Sequence, residues 1–206
     1  MSHISNTSQS VLERLQKPVR SNKNNRKGKI VSAFHDCILR KGYADTTITD
    51  IAGEAGLSLS HLLYYYTNKD EILIDLAIEH HRNVLNSIKF DTPATPEQKI
   101  DTLVHNMFVV TSPDELKLLR EFVGLSPHKP ELRQIVQEYA AQTFAHLSDI
   151  FSKSPRQPGL SVSEAADLAG ALWLGLMIQA DSRAELDEGE TRKLFQKALM
   201  MIAKLE

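Results

Sequence analysis

The chain has 206 residues, of which 42% are hydrophobic and 24% are charged, a balance typical of a soluble globular protein. Its one cysteine, Cys37, excludes an internal disulfide framework and a four-thiolate zinc site. The N-terminus is polar, and the longest uncharged apolar stretch, residues 168–178, is far shorter than the roughly 20 residues that span a bilayer. We therefore expect a cytoplasmic protein with no membrane association.

Charge is distributed unevenly along the chain. Residues 1–41 contain nine Lys and Arg against two Asp and Glu, whereas residues 71–206 contain 14 against 20. A basic N-terminal segment followed by an acidic remainder indicates that the N-terminal segment binds a polyanion. Because residues 1–25 are rich in Ser, Asn and Lys, we interpret them as a flexible basic arm. The alternative is a solvated tail with no partner.

Apolar residues recur at helical spacing along most of the chain, and no long alternation of period two predicts a strand. Cap residues stand three positions before Glu or Gln at several helix starts, as in Thr95 with Gln98, Ser161 with Glu164, and Asn68 with Glu71. We therefore predict an all-α fold. Its roughly nine helices are expected near residues 27–41, 47–55, 58–66, 69–89, 96–111, 113–125, 130–152, 162–182 and 188–205.

The second and third predicted helices are short and joined by a tight turn at Gly56, which is the spacing of a helix-turn-helix. Ile51 faces inward from the first of them, and Leu62 anchors the second. Ser58 can cap the second helix, which leaves an outward-facing first turn suited to the major groove. That turn contains Leu59, Ser60 and His61. An ordinary helical hairpin is the alternative.

Several segments in this region resemble the TetR family of bacterial transcriptional regulators. The resemblance is carried by Gly42 to Thr47, Ile51-Ala52, Ala55 to Ser58, Tyr64 to Tyr66, Lys69 and Ile72-Leu73. It implies a three-helix DNA-binding domain over residues 26–75, followed by a helical effector-binding and dimerisation domain over residues 76–206. It also implies a repressor that leaves a palindromic operator when a small molecule binds.

The resemblance also assigns roles to residues. Thr47, Tyr64, Tyr65 and Lys69 match phosphate-binding positions, Ser58, Leu59, Ser60 and His61 match positions near base edges, and Tyr66 matches an inward-packing aromatic residue. Lys29, close to the first helix, is expected to meet the DNA backbone. Two positions depart from the family pattern. Leu63 stands where an aromatic residue is common, and Leu59 is apolar, so that it either meets a thymine methyl group or simply packs.

Residues 168–178 are apolar on every side, so a helix there must be covered all round. We expect the chain's own core to cover one side and a second subunit to cover the other. The resemblance implies a homodimer formed through the last two helices, and a central helix buried in a monomer is the alternative. Apolar and polar residues that could line an effector pocket, or merely pack in the core, are His105, Met107, Phe108, Phe122, Tyr139, Phe144, Trp173 and Gln179. Apolar walls with a few polar groups predict a small, largely apolar effector, lipophilic or aromatic.

No phosphate-binding glycine loop, dinucleotide fingerprint or nucleophile elbow occurs in the sequence. His80 falls on an apolar stripe, so a core histidine is expected there rather than a metal ligand. We therefore expect no catalytic residues, no metal and no cofactor. Two alternatives to a DNA-binding regulator stay open, namely a helical enzyme with a basic tail and a ligand-carrier or interaction dimer that does not bind specific DNA.

Overall fold

A computed structural model describes residues 13–15, 26–87, 94–110, 113–182 and 187–205. All regular secondary structure in these ranges is helical, which confirms the all-α prediction. No helix among these residues has the length and apolar character needed to cross a membrane. The nine α-helices of the described ranges from residue 26 onward are α1 (Arg26–Asp45), α2 (Ile48–Glu54), α3 (Leu59–Tyr65), α4 (Lys69–Ser87), α5 (Pro96–His105), α6 (Pro113–Leu125), α7 (Pro130–Ser152), α8 (Val162–Ser182) and α9 (Glu188–Ala203).

Most helix starts agree with the predicted ones because the predicted caps form. Thr95 accepts a hydrogen bond from the Gln98 backbone N–H, and the Gln98 side chain accepts one from the Thr95 N–H. The predicted Asn68 cap forms in part. The Asn68 side-chain oxygen accepts a hydrogen bond from the Glu71 N–H at 3.0 Å, but the Glu71 carboxylate accepts from the N–H and hydroxyl of Thr67 rather than from the Asn68 N–H. After α5 the chain continues as a wider π-helical turn, Asn106–Val110.

Gly42 interrupts α1, and its φ of +77° is a backbone conformation that L side chains rarely adopt. A Cβ added to Gly42 would lie 3.0 Å from Oε1 of Glu121, so the position is also sterically tight. The regular part of α1 therefore ends at residue 41, where the sequence predicted it. The Thr46 hydroxyl donates to the Gly42 carbonyl at 2.7 Å and closes the turn that follows.

The chain divides into two compact units. Unit 1 comprises residues 1–84 and 113–138, and unit 2 comprises residues 85–112 and 139–206. The predicted functional boundary after residue 75 stays a prediction. The packing units divide the chain differently, because α6 and the first part of α7 pack with the N-terminal helices.

Unit 1 has a continuous apolar core. Its fully buried members are Ile30, Phe34 and Ile38 on α1, Ile51 on α2, Leu62 on α3, Ile72 and Leu73 on α4, and Leu132 on α7. The short helices α2 and α3 are seven residues each, too short to be stable alone, so this packing holds them in place.

Residues 13–15 are helical and lie against α4. The Arg14 guanidinium pairs with the Asp75 carboxylate, and Leu15 packs against the core of unit 1. Arg82 donates to the Leu15 carbonyl at 3.4 Å. Arg14 is therefore held on the domain at this point, and the rest of the predicted flexible arm lies outside the described residues.

Unit 2 is built from α5, the second part of α7, α8 and α9. Three aromatic rings meet in its core, where the Trp173 centroid lies 4.9 Å from that of Phe108 and 5.4 Å from that of Phe195. On the opposite side of α8, Ile178 is 57% exposed with respect to the residues that the structure describes. Leu168, Leu174, Leu194 and Met201 are exposed as well.

Leu62 and Leu63 make a matched pair for testing this packing. Leu62 is fully buried, and Leu63 is 43% exposed. We expect Leu62→Ala to lower the free energy of unfolding by about 2–5 kcal/mol, because it leaves a cavity in the core. Leu63→Ala should cost less than about 1 kcal/mol. Urea unfolding followed by circular dichroism measures both, and equal losses would contradict the packing described here.

Candidate nucleic-acid interface

The turn between α2 and α3 has the backbone geometry that the sequence predicted. Gly56 has a φ of +65°, and its N–H donates to the Gly53 carbonyl at 3.1 Å. The Leu57 N–H donates to the Ala52 carbonyl at 2.9 Å, which closes the turn. Two short helices are therefore held against each other by buried side chains and by a glycine turn.

The first turn of α3 presents polar and apolar groups together. Ser58 caps the helix by accepting a hydrogen bond from the His61 N–H at 3.2 Å, and its hydroxyl lies 3.1 Å from that of Ser60. Leu59, Ser60 and His61 are all exposed. The predicted base-reading positions are thus accessible on the surface of unit 1.

Three consecutive tyrosines at the end of α3 have different environments. Tyr64 is 81% exposed, Tyr65 is half-buried and packs edge-on against it, and Tyr66 is buried as predicted. The Tyr66 hydroxyl donates to the Asp75 carboxylate at 2.6 Å, and the Lys27 ammonium lies over its ring at 4.8 Å. Tyr66 thus anchors α3 to α4, while the hydroxyl of Tyr64 is directed to solvent.

Thr47 begins α2 with a complete capping box. Its hydroxyl oxygen accepts a hydrogen bond from the Asp50 N–H at 3.2 Å, and the Asp50 carboxylate accepts one from the Thr47 N–H at 2.7 Å. Hydrogen bonds from the Lys41 ammonium and from Thr47 hold the pKa of Asp50 far below its usual range. The predicted phosphate contact of Thr47 would therefore form on a helix end that is already ordered.

Lys69 has a partner set that sequence reasoning did not foresee. Its ammonium donates to the carbonyls of Tyr43 and Thr46, both at 2.8 Å, and to that of Ala44 at 3.4 Å. It also lies 4.2 Å from the centroid of the Tyr43 ring, and burial lowers its pKa. Lys69 therefore fixes the end of α1 and the start of α2. Its predicted contact with a phosphate stays a prediction.

A second lysine reaches the same tyrosine from the loop before α7. The Lys129 ammonium lies 5.0 Å from the Tyr43 centroid and donates to Asp70 at 2.7 Å. The Tyr43 hydroxyl donates to the other oxygen of Asp70. Burial alone would raise the pKa of Asp70, but the hydrogen bonds from Lys129 and Tyr43 lower it. No spacing rule could have found this network, because 59 residues separate Lys129 from Asp70.

Lys29 is exposed on the first turn of α1, where a cation can reach a phosphate. Arg26 and Lys27 are exposed beside it. The N-terminal end of α1 is therefore basic, in agreement with the charge asymmetry of the sequence.

The eight predicted effector-lining residues do not form one group. Phe122 belongs to the core of unit 1, where its ring centroid lies 5.5 Å from that of His80. The other seven lie in unit 2, and His105, Phe144 and Gln179 are exposed there. The buried or half-buried ones are Met107, Phe108, Tyr139 and Trp173. Sequence reasoning missed Phe195, which completes the aromatic cluster from α9, and buried Asn106.

No group of three or more His, Cys, Asp or Glu residues suited to a metal ion occurs in the part of the chain that the structure describes. His80 is buried, and its Nδ1 pairs with the Glu115 carboxylate. The hydrogen bond to His80 lowers the pKa of Glu115 although burial opposes the shift. His80 is thus a core histidine with a carboxylate partner.

Comparison with known proteins gives two family matches. Residues 30–76 match the family described as bacterial regulatory proteins of the TetR family, and residues 96–204 match the C-terminal part of BetI-type transcriptional repressors. The HTH-type transcriptional regulator BetI of Escherichia coli strain SMS-3-5 is 27% identical over 157 residues, which cover 72% of this chain and 80% of that protein. These relatives are regulators rather than enzymes.

Two solved structures share the fold. A transcriptional regulator from Rhodococcus sp. RHA1 has a TM-score of 0.76 at 16% identity and covers 86% of this chain and 96% of its own. A protein described as a transcriptional regulator from Saccharomonospora viridis, in complex with choline, has a TM-score of 0.76 at 19% identity. The match covers 83% of this chain and 93% of that protein. At these identities the likeness concerns the fold alone.

Proposed function

Because this chain belongs to the TetR family of bacterial transcriptional regulators, we propose that it represses transcription by binding a palindromic operator and leaves it when a small ligand binds. The observation that carries the proposal is the accessible face of α3, presented by a helix-turn-helix whose other side is buried. In such a motif the second helix enters the major groove. The protein then acts in the cytoplasm, where bacterial DNA lies.

The neighbouring groups suit the phosphate backbone. Tyr64 and Tyr65 follow the base-reading turn of α3, Thr47 begins α2, and Lys29 lies at the basic start of α1. Hydroxyls, ammonium groups and helix N-termini are the usual donors to phosphate oxygens. Lys69 contributes by holding the end of α1, so that it positions Thr47 even where it does not itself reach the DNA.

Exposed apolar side chains on α8 and α9 support a homodimer formed through these two helices. Leu168, Leu174 and Ile178 on α8 are each at least 45% exposed among the described residues. Leu194 and Met201 on α9 are exposed to a similar degree. Exposed apolar surface on neighbouring helices is typical of an interface, and a second copy brings the same surface. Two recognition helices related by a two-fold axis would bind the two half-sites of a palindrome, whose centres lie about 34–36 Å apart.

The ligand belongs in unit 2, beside the cluster of Phe108, Trp173 and Phe195. These ring centroids lie 4.9–6.1 Å apart, so the rings touch and a ligand would pack against them rather than between them. Aromatic faces attract quaternary ammonium groups, whose charge is covered by methyl groups. The choline complex of the protein from Saccharomonospora viridis supports this chemistry. Choline is accordingly the first ligand to test.

A ligand changes operator affinity only if it prefers one of two conformations. We assign the change to α4, which begins at Lys69 beside the predicted DNA surface and has its last residues in unit 2. The Lys129–Asp70 ion pair connects the start of α4 to the loop before α7.

The DNA assignment is tested by two substitutions that act differently. Lys69→Ala should weaken binding similarly for operator and random DNA, because it disturbs side chains that bind phosphates rather than bases. It should also make the slope of log K against log salt less steep, by up to about 0.9. His61→Ala should instead change the preferred sequence. Fluorescence anisotropy at several salt concentrations measures both. Lys153→Ala, an exposed lysine of unit 2, serves as the control and should leave both quantities unchanged.

An unchanged affinity and salt slope for Lys69→Ala would contradict the docking. Salt-independent, weak binding by the wild type would favour the alternative of a carrier or interaction dimer, for which the exposed Leu59 and Leu63 are the best argument.

The dimer is tested by placing a charge on the uncovered face of α8. Ile178→Glu should halve the mass measured by sedimentation, because an unpaired carboxylate cannot be buried in an apolar interface. Leu63→Glu is the matched control, since it adds the same charge at an exposed apolar position of α3 and should leave the dimer intact. A wild-type protein that sediments as a monomer, or an Ile178→Glu variant that stays dimeric, would disprove this interface.

The ligand proposal predicts that choline lowers operator affinity by at least about fivefold, the lower end of typical coupling between sites. Ethanolamine, which has the same chain but no methyl groups, should act much more weakly. Trp173→Phe should retain part of the response and Trp173→Leu should lose it, because only the first keeps an aromatic face. A titration in which choline leaves the operator complex intact would refute the quaternary-ammonium assignment.

A further inference from the structure

The exposed large hydrophobic side chains among the described residues of unit 1 all lie on α3. They are Leu59 at 40% exposure, Leu63 at 43% and Tyr64 at 81%. The other exposed large hydrophobic residues of the described ranges belong to unit 2. Unit 1 therefore concentrates its uncovered apolar surface on the one helix that is proposed to enter the major groove.

Leu59 and Leu63 share one flank of α3. They are four residues apart, so their Cβ atoms lie about 5–6 Å from each other on the same side of the helix. Leu62 is fully buried and fixes the rotation of α3, which keeps this flank at the surface. The flank is thus a fixed apolar strip one helical turn long, with Ser60 beside it.

The base edges in the major groove limit what such a strip can recognise. Guanine offers two acceptors, which suit Arg or Lys, and adenine offers an acceptor and a donor, which suit Asn or Gln. Helix α3 has none of these four residue types in its sequence LSHLLYY. The thymine C5-methyl group is the apolar feature of the groove, and a leucine side chain can cover it.

We propose that Leu59 and Leu63 contribute to operator specificity, beside His61, by contacting the methyl groups of two thymines in each half-site. The inference rests on the proposed function, since it requires α3 to lie in the major groove. Base pairs rise about 3.4 Å each, so side chains about 5–6 Å apart meet thymines at neighbouring or next-neighbouring positions. The alternative is that this flank of α3 binds a protein partner. The hydroxyls of Ser58 and Ser60, which lie beside the flank, favour DNA.

The test begins with the full-length protein and a random duplex library, from which repeated binding and recovery yield the preferred operator. Each thymine of that operator is then replaced in turn by deoxyuridine, which removes the methyl group and leaves the hydrogen-bonding edge intact. Wild-type protein should bind about fourfold more weakly at each contacted position, as expected for one buried methyl group. Two such positions should occur in each half-site.

Substitutions assign the two positions. Leu59→Ala should abolish the preference for thymine over deoxyuridine at one position, and Leu63→Ala should abolish it at the other. Leu59→Met should retain the preference, because it keeps an apolar side chain of similar volume. Lys29→Ala is the control, since it should weaken binding to every duplex and still distinguish thymine from deoxyuridine.

The outcomes separate this inference from the function on which it rests. Specific binding that is insensitive to deoxyuridine at every position, or a Leu59→Ala protein that still prefers thymine at both positions, would overturn the inference and leave the regulator intact. An operator without thymines facing α3 would do the same. Failure to recover any preferred duplex would overturn the proposed function, and the thymine contact with it.

Discussion

The ammonium group of Lys69 holds together the part of the molecule on which the proposed function depends. It donates to the carbonyls of Tyr43, Ala44 and Thr46, where α1 ends and the cap of α2 begins. These carbonyls lie between the regular part of α1, which ends at residue 41, and the first turn of α2, so the ammonium gives hydrogen-bond partners to backbone groups of the connecting segment. The direction of α2, and with it the turn to α3, follows from this junction.

The same junction extends beyond the three N-terminal helices. The ammonium groups of Lys69 and Lys129 lie 4.2 Å and 5.0 Å from the centroid of the Tyr43 ring, and the Asp70 carboxylate accepts hydrogen bonds from the Tyr43 hydroxyl and from Lys129. Unit 1 therefore includes the loop before α7. One ion pair and one aromatic ring thus connect this loop to the start of α4.

Local signals in the sequence predicted the helices well, because caps and apolar periodicity act within a few residues. The α2–α3 turn followed from Gly56 and the buried position of Leu62 from its spacing, whereas the buried position of Tyr66 followed from the resemblance to the TetR family. The partners of Lys69 and Lys129 could not be predicted, since they depend on contacts between residues 23 to 86 positions apart, from Lys69 with Thr46 to Lys129 with Tyr43. For the same reason Phe122 was grouped with residues of unit 2, and Phe195 was missed.

Two uncovered apolar surfaces remain on the described chain, and each has a different meaning. The strip on α3 is narrow and flanked by hydroxyls, which suits a nucleic acid groove. The surface on α8 and α9 includes exposed apolar side chains on both helices, which suits a second copy of the chain. In this account one chain uses the first surface to read a half-site and the second to set the spacing between two half-sites.

Binding of this protein to specific DNA can be measured by a gel shift with the DNA directly upstream of its own gene, with excess competitor DNA and at two salt concentrations. We expect a discrete complex that survives the competitor and weakens as salt increases. If a folded protein forms no complex at low salt, it does not bind this DNA as proposed.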